Sequence, residues 1–235
     1  MLQLDYREVF DQRGAAYHRA MQRYPFARAA EFARLFDRQA VEPGETILDI
    51  PAGGGYLQRH LPDARLTSLE LTEGFGAGVP VVSAASDWPV GRFDQVICLA
   101  ALHHIQERDA FIERLLTHAT GFVHLADVGC SSPIGRFLDG FVGAYNGTGH
   151  NGLYLPDRAR DFGFADRILH YGELDCPWRF DDEASMLDFC GGLFGLIDCP
   201  AEDLWSALND YVGVRRDADG ITLLWRLTYV DLRAG

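Results

Sequence analysis

The run TILDIPAGGGYLQ at residues 46–58 constrains the fold more than any other part of the chain. A short, largely apolar stretch reaches Asp49 and Ile50. Pro51, Ala52 and three consecutive glycines follow before Tyr56. This reads as a buried strand passing through a bare loop into a short helix over 56–60. Missing side chains at such a point let a ligand lie against the main chain. Further apolar runs continue the pattern. RLTSLEL (65–71) reads as a second strand, VPVVSAAS (79–86) as a shorter third, FDQVICLA (93–100) as a fourth and GFVHLADV (121–128) as a fifth. A helix over ERDAFIERLLTHA (107–119) precedes the fifth. Continuous apolar strands alternating with helices predict a parallel sheet covered on both faces.

The flanking segments differ. Residues 5–40 read as helical, with one helix over 6–24 and another from Pro25, where Phe26, Ala29, Ala30, Ala33 and Phe36 recur at helical spacing. After residue 130 the alternation breaks. Residues 131–164 hold a helical stretch and then a glycine- and asparagine-rich loop, read as an inserted cap. DRILHYGEL (166–174) and ITLLWRLTYVDL (221–232) have strand composition, and 181–196 and 200–212 read as helices between them. The expected fold is α/β: a Rossmann-like, doubly wound, mostly parallel seven-stranded sheet. N-terminal helices (1–40) form a lid and the cap follows strand five, all in one domain over 1–235.

Composition narrows the chemistry. Lysine is absent, which removes Schiff-base, Walker and kinase lysines. The net charge of −13 makes nucleic acid and anionic membrane surfaces poor partners. The five cysteines form no C-x-x-C pair, so neither a disulfide framework nor a cysteine zinc site is expected. The N-terminus lacks the apolar core of a signal peptide and no apolar run approaches spanning length, so a cytoplasmic protein is expected.

The glycine loop fails the dinucleotide fingerprint in both registers: Gln58 stands at the last position counted from Gly53, and Pro51 and Tyr56 break the other. LDIPAGGG instead closely resembles the first motif of the class I methyltransferases that use S-adenosylmethionine (SAM). The resemblance implies that Asp49, Pro51, Ala52, Gly53 and Gly55 line the methionine and ribose end, with Pro51 in place of the first family glycine. Glu70 follows 21 residues after Asp49. One βαβ step places its carboxylate at the edge of the neighbouring strand, and the resemblance gives it the ribose hydroxyls, with Leu71 beside it. In SAASDWPVGRFD (83–94) two registers are open. Either Asp87 and Trp88 meet the adenine, the favoured register, or Ala84 takes the acidic position and Ala85 a backbone contact. FDQVICLAALHHI (93–105) resembles the fourth motif, with Leu99 and Ala100 passing close to the methionine part.

The resemblance implies SAM as cofactor and a small-molecule acceptor, methylated on oxygen, nitrogen or carbon by in-line transfer. His103 is the candidate for a polar role at the reacting centre, whereas His104 is expected to be structural. A zinc site is not expected, because adjacent histidines cannot easily face one ion and the sequence shows no further partner. Two segments are placed to cover the sheet edge. The N-terminal helices carry Tyr6, Arg13, Tyr17 and Tyr24, and the cap carries Tyr145, Asn146, His150, Asn151 and Tyr154. Tyr17 and His150 join His103 as catalytic candidates. Three alternatives stay open: a cyclase that closes SAM on itself and releases methylthioadenosine, a non-catalytic SAM-binding domain, and an NAD-dependent oxidoreductase. A monomer or homodimer is expected.

Overall fold

The computed structural model describes residues 5–86 and 88–235. Helix α1 (Tyr6–Arg23) opens on a reciprocal cap. Asp5 Oδ1 accepts from the Glu8 amide at 2.9 Å and Glu8 Oε2 accepts from the Asp5 amide at 2.9 Å. The cap satisfies donors that the first turn would leave unpaired. The short α2 (Ala29–Arg34) follows a turn at Pro25. Here the apolar spacing read from sequence picks the wrong face. Ala27, Arg28, Glu31, Phe32 and Leu35 are buried, whereas Phe26 is 64% exposed. The inward face carries an ion pair, which a search for apolar periodicity passes over.

Strands β1 (Thr46–Asp49), β2 (Arg65–Ser68), β3 (Phe93–Leu99) and β4 (Ala119–Asp127) are parallel, with α3 (Arg108–His118) between the last two. The run α4 (Pro133–Arg136), a π-helical turn (Phe137–Val142) and α5 (Gly143–Tyr145) lies in the segment expected as the cap. Then come β5 (Ile168–Asp175), β6 (Trp178–Phe180), α6 (Glu183–Phe194), α7 (Ala201–Ala207) with a further π-helical turn, β7 (Val214–Asp217), β8 (Gly220–Leu223) and β9 (Arg226–Arg233). The main sheet has the order β2-β1-β3-β4-β9-β5, and β9 is antiparallel to both neighbours.

The fold is α/β with a mostly parallel sheet, as expected, but the sheet has six strands among the described residues. The predicted third strand over 79–86 shrinks to one parallel bridge between Glu70 and Val81. Pro80 has no amide hydrogen to donate, and the Ala-Ser stretch after it offers little apolar surface to bury. The predicted strand over 221–232 is cut in two. β8 joins β6 and β7 in a separate three-stranded antiparallel sheet, and β9 enters the main one. The segment between β5 and β9 therefore builds a covering layer in addition to 131–164.

Apolar clusters fill both faces of the sheet. Leu48, Val96, Cys98 and Leu125 pack with α3 residues on one side. Ile47, Ile97 and Ala126 join Trp178, Phe189 and Trp225 on the other. Burial on both faces is why these strands read as continuous apolar runs. Helix α1 crosses above the sheet edge with its backbone pressed against a loop: a Cβ built on Gly14 would sit 2.7 Å from the Gly74 carbonyl carbon. Its other side meets α6, where a Cβ on Gly192 would lie 3.1 Å from that of Ala20. All five cysteines are free, with Cys98, Cys176 and Cys190 buried. Among the described residues no helix is long and apolar enough to cross a membrane.

Candidate active site

The parallel strands end together at Asp49, Ser68, Leu99 and Asp127, and the loops beyond them carry the candidate site residues. After β1 the chain turns through Gly53 (φ +59°) and Gly55 (φ +73°), conformations that a side chain would strain. Gly54 is needed for space: a Cβ there would lie 2.4 Å from the Tyr56 hydroxyl. Glu70 closes the loop from the neighbouring strand. Its Oε2 accepts from the Gly53 amide at 2.6 Å and its Oε1 from the Leu71 amide at 2.7 Å. Asp49 lies behind it, 5% exposed.

These two carboxylates are costly to ionise. Burial, and then the charge of Glu70, pushes Asp49 up to about 8. Burial also pushes Glu70 up to about 7, against the lowering effect of the Leu71 and Gly53 amides and the Tyr6 hydroxyl. Neither makes an ion pair among the described residues. A buried carboxylate pair beside a bare backbone suits a ligand that brings positive charge and hydroxyl donors. Tyr6, Phe10 and Tyr17 of α1, with Pro51, Ala52, Leu99 and Ala100, close this cleft down to about 50 Å³. A larger cavity, about 640 Å³, is lined by Tyr6, Leu71, Ala84, Ala85 and Phe111.

Of the two registers left open at 83–94, Ala84 and Ala85 line that cavity. Asp87 lies outside the described residues. Trp88 is 3% exposed, stacked on His118 at 5.0 Å, and donates through Nε1 to the Ser83 carbonyl at 3.1 Å. The Trp88 ring, expected to meet the adenine, faces His118 instead. An indole with its N–H satisfied locally is a better core piece than a platform for a ligand.

A further cavity, about 60 Å³, adjoins the glycine-loop cleft and shares Phe10, Tyr17, Arg28 and Ala100 with it. Ala100 stands at the junction with φ +51°, unusual for a residue with a side chain, and its amide donates to the Ala126 carbonyl at 2.7 Å. The three catalytic candidates, His103, His150 and Tyr17, all line this further cavity. Asp127, at the end of β4 and fully buried, accepts from the His103 amide at 3.1 Å and faces its Nδ1 at 2.7 Å. Donation from Nδ1 leaves a lone pair on Nε2. The loop after the cap helix supplies His150, whose Nδ1 lies 2.7 Å from Asp139 Oδ1. Burial lowers His150 to about 4, so it is neutral at physiological pH. The Leu153 amide donates to the His103 carbonyl at 2.9 Å and ties this loop to the fourth-motif segment.

His104 is buried, and burial holds it well below the ordinary histidine range. The structure also supplies the partner that the sequence did not show: the ligand atoms of His103, His104 and His150 lie within 4.8 Å of one another. A neutral imidazole has one lone pair to give. That of His104 faces Arg13, whose NH2 is 3.2 Å from Nε2, so a metal ion held by all three would have to displace a guanidinium.

Tyr17 is tied to Arg28, whose NH1 donates to its hydroxyl. Arg28 is in turn forked onto Glu31, with Nε donating to Oε2 at 3.0 Å and NH2 bonded to Oε1. Trp178 Nε1 completes the cluster at 2.7 Å from Glu31 Oε2. Sequence reading passed over Arg28, Glu31, Asp127, Asp139, Trp178 and Trp225. Asp127 had a legible signal, a carboxylate ending an apolar strand at the same sheet edge as Asp49.

Solved structures share the fold. A phosphoethanolamine N-methyltransferase of Haemonchus contortus, solved with S-adenosylhomocysteine (SAH), is 12% identical. It covers 97% of this chain and 60% of its own, with a TM-score of 0.61. The chain has the class I methyltransferase fold. A SAM-dependent methyltransferase of Thermotoga maritima is 14% identical over 96% of this chain and 98% of its own, with a TM-score of 0.56. The cyclase SpnF has the same fold at 17% identity, over 87% of this chain and 80% of its own, with a TM-score of 0.52. No protein-family profile and no curated protein sequence matches the chain.

Proposed function

We propose that this chain binds SAM in the glycine loop and directs methyl transfer to a small-molecule acceptor in the adjoining cavity. The observation that carries the reading is that a carboxylate-lined bare loop and a histidine-lined cavity meet at Ala100. When bound, SAM supplies a methyl group on a cationic sulfur. Asp49 and Glu70 favour that charge, and Glu70 has acceptor sites left for ribose hydroxyls. Leu71, Ala84 and Ala85 then flank the adenine in the larger cavity, and Leu99 and Ala100 pass along the methionine part.

On the acceptor side, His103 takes a proton through Nε2 while Asp127 fixes its tautomer and stabilises the imidazolium. His150 remains neutral and accepts or donates to the acceptor. Tyr17, held by Arg28, separates the two compartments and positions the acceptor. Helix α1 is the lid over both: Phe10 and Tyr17 line each space, and both spaces are too small for their ligands until it moves. The acid surface and the enclosed cavity favour a small acceptor over a macromolecule.

The test is calorimetric titration with SAM and SAH, followed by an acceptor screen that detects SAH release. Binding lost in Glu70→Ala, with methyl transfer lost in His103→Gln, supports the reading. Absence of binding by either nucleoside overturns it. Incubation with SAM alone, assayed for methylthioadenosine, separates transfer from self-cyclisation.

A further inference from the structure

Two arginines reach the acceptor cavity, and they are treated differently. Arg28 is neutralised by Glu31 within the buried cluster. Arg13 has no carboxylate partner among the described residues. Its NH1 donates to the Phe194 carbonyl at 3.1 Å, its NH2 faces His104, and its Nε is buried with no partner. The guanidinium also lies 5.1 Å over the Phe10 ring. The other carboxylates near the cavity are all spoken for. Asp127 holds His103 and the Val128 amide, and Asp139 holds His150, the Tyr154 hydroxyl and the Gly152 amide. Neither carboxylate contacts Arg13, so its guanidinium is left without an acidic partner in an enclosed space.

A buried charge without a partner is among the most costly features a fold can keep, and such groups are found paired or facing a ligand. Burial lowers Arg13 to about 10, against the raising effect of Tyr17 and Tyr6, and it stays charged at neutral pH. The same charge disfavours a metal ion at the histidines, so the vacant partner is an anion. The wall beside it is flat and apolar: Trp178 and Trp225 stack at 4.2 Å and 25°, with Phe194 against them. A guanidinium fork matches a planar carboxylate, and a stacked indole pair matches a planar body. We infer that the acceptor is an aromatic or similarly flat carboxylic acid whose carboxylate pairs with Arg13 while its acceptor atom faces His103. The inference rests on the acceptor-site reading above and names its substrate class. At about 60 Å³ the cavity admits such an acid only as α1, which carries Arg13, rides outward and closes again.

The experiment measures binding of two acids, 4-hydroxybenzoate and indole-3-acetate, against their uncharged amides, by calorimetry with and without saturating SAH. Expected is a preference for the acids of at least about 30-fold, erased in Arg13→Met and partly kept in Arg13→Lys, with SAH affinity unchanged. Equal binding of acids and amides to the wild type overturns the inference, as does a preference that survives in Arg13→Met or the failure of both acids to bind at millimolar concentration. Should Arg13→Met not fold, Arg13→Lys decides, since an undiminished preference there also removes the fork. SAH binding is a separate readout. Its loss in the wild type defeats the cofactor reading, while the acid preference without SAH still tests Arg13.

Discussion

On the cofactor side the candidate residues lie close together along the chain, in 49–55, 70–71 and 99–100, and backbone geometry does much of the work. Gly53 and Gly55 supply positive φ, and Glu70 is aimed by two backbone amides. The acceptor cavity draws on residues as far apart as Arg13 and Leu227, and its Arg13–His104, His103–Asp127, His150–Asp139 and Arg28–Glu31 contacts run between side chains. The first region is a local motif placed by sheet topology. The second is an assembly in which Glu31 holds Arg28, Arg28 holds Tyr17, and Trp178 holds Glu31. A loop of the first kind tolerates change around it, whereas the assembly fails when one member is removed.

The sharpest way to break the comparison is His103→Gln. It should lower the rate of methyl transfer by about 10²- to 10⁴-fold while SAH binds as before, because His103 lines the histidine cavity and not the glycine-loop cleft. Parallel titration and turnover assays check this, and equal damage to both would merge the two regions. Next in size is Glu31→Leu, which strands Arg28 as an uncompensated charge. The pair is 4% and 0% exposed, so stability should fall by about 3–5 kcal/mol in denaturant unfolding. The double change Arg28→Met with Glu31→Leu should recover most of it, which identifies the lone charge as the cost.

A smaller effect belongs to the cofactor side. Asp49 and Glu70 are raised in the folded protein to about 8 and about 7, so the native state holds protons that the unfolded chain releases above about pH 4. The unfolded state binds fewer protons across this window, so stability falls as pH rises from about 4 to 8. A bound sulfonium reverses the penalty. The preference for SAM over SAH, which lacks the sulfonium charge, should therefore grow up to about tenfold between pH 6 and pH 8, and Asp49→Asn should flatten it. Calorimetry at both pH values provides the measurement. Smallest is the response to EDTA. With the His104 lone pair committed to Arg13, chelation should leave SAH affinity and turnover unchanged, and a loss reversed by zinc would turn the histidines into a metal centre.

Legibility followed the same divide. The parallel strands, the glycine loop and Glu70 stood out because each depends on residues near in sequence, with a backbone rule behind them. The third strand expected at 79–86 narrows to a single bridge, since its β-branched residues flank a proline and border on small polar ones. Trp88 looked like a ligand platform, although its ring and N–H are used within its own neighbourhood. Helix α2 was turned to the wrong face because its buried side carries Arg28 and Glu31, polar residues that become core only when each meets the other.

By itself the sequence determined the order of most strands and helices, the sheet edge and the bare loop on it, because periodicity and glycine placement act over a few residues. Only the tertiary structure decided which charges are cancelled and which is left over. Arg13 and Arg28 look alike in the chain, and they differ because Glu31 lies one turn from Arg28, with Trp178 folded back from a separate sheet to hold it there. The i,i+3 spacing permits the Arg28–Glu31 pair, but its burial beneath Trp178 and the lack of any carboxylate beside Arg13 are set by distance in space.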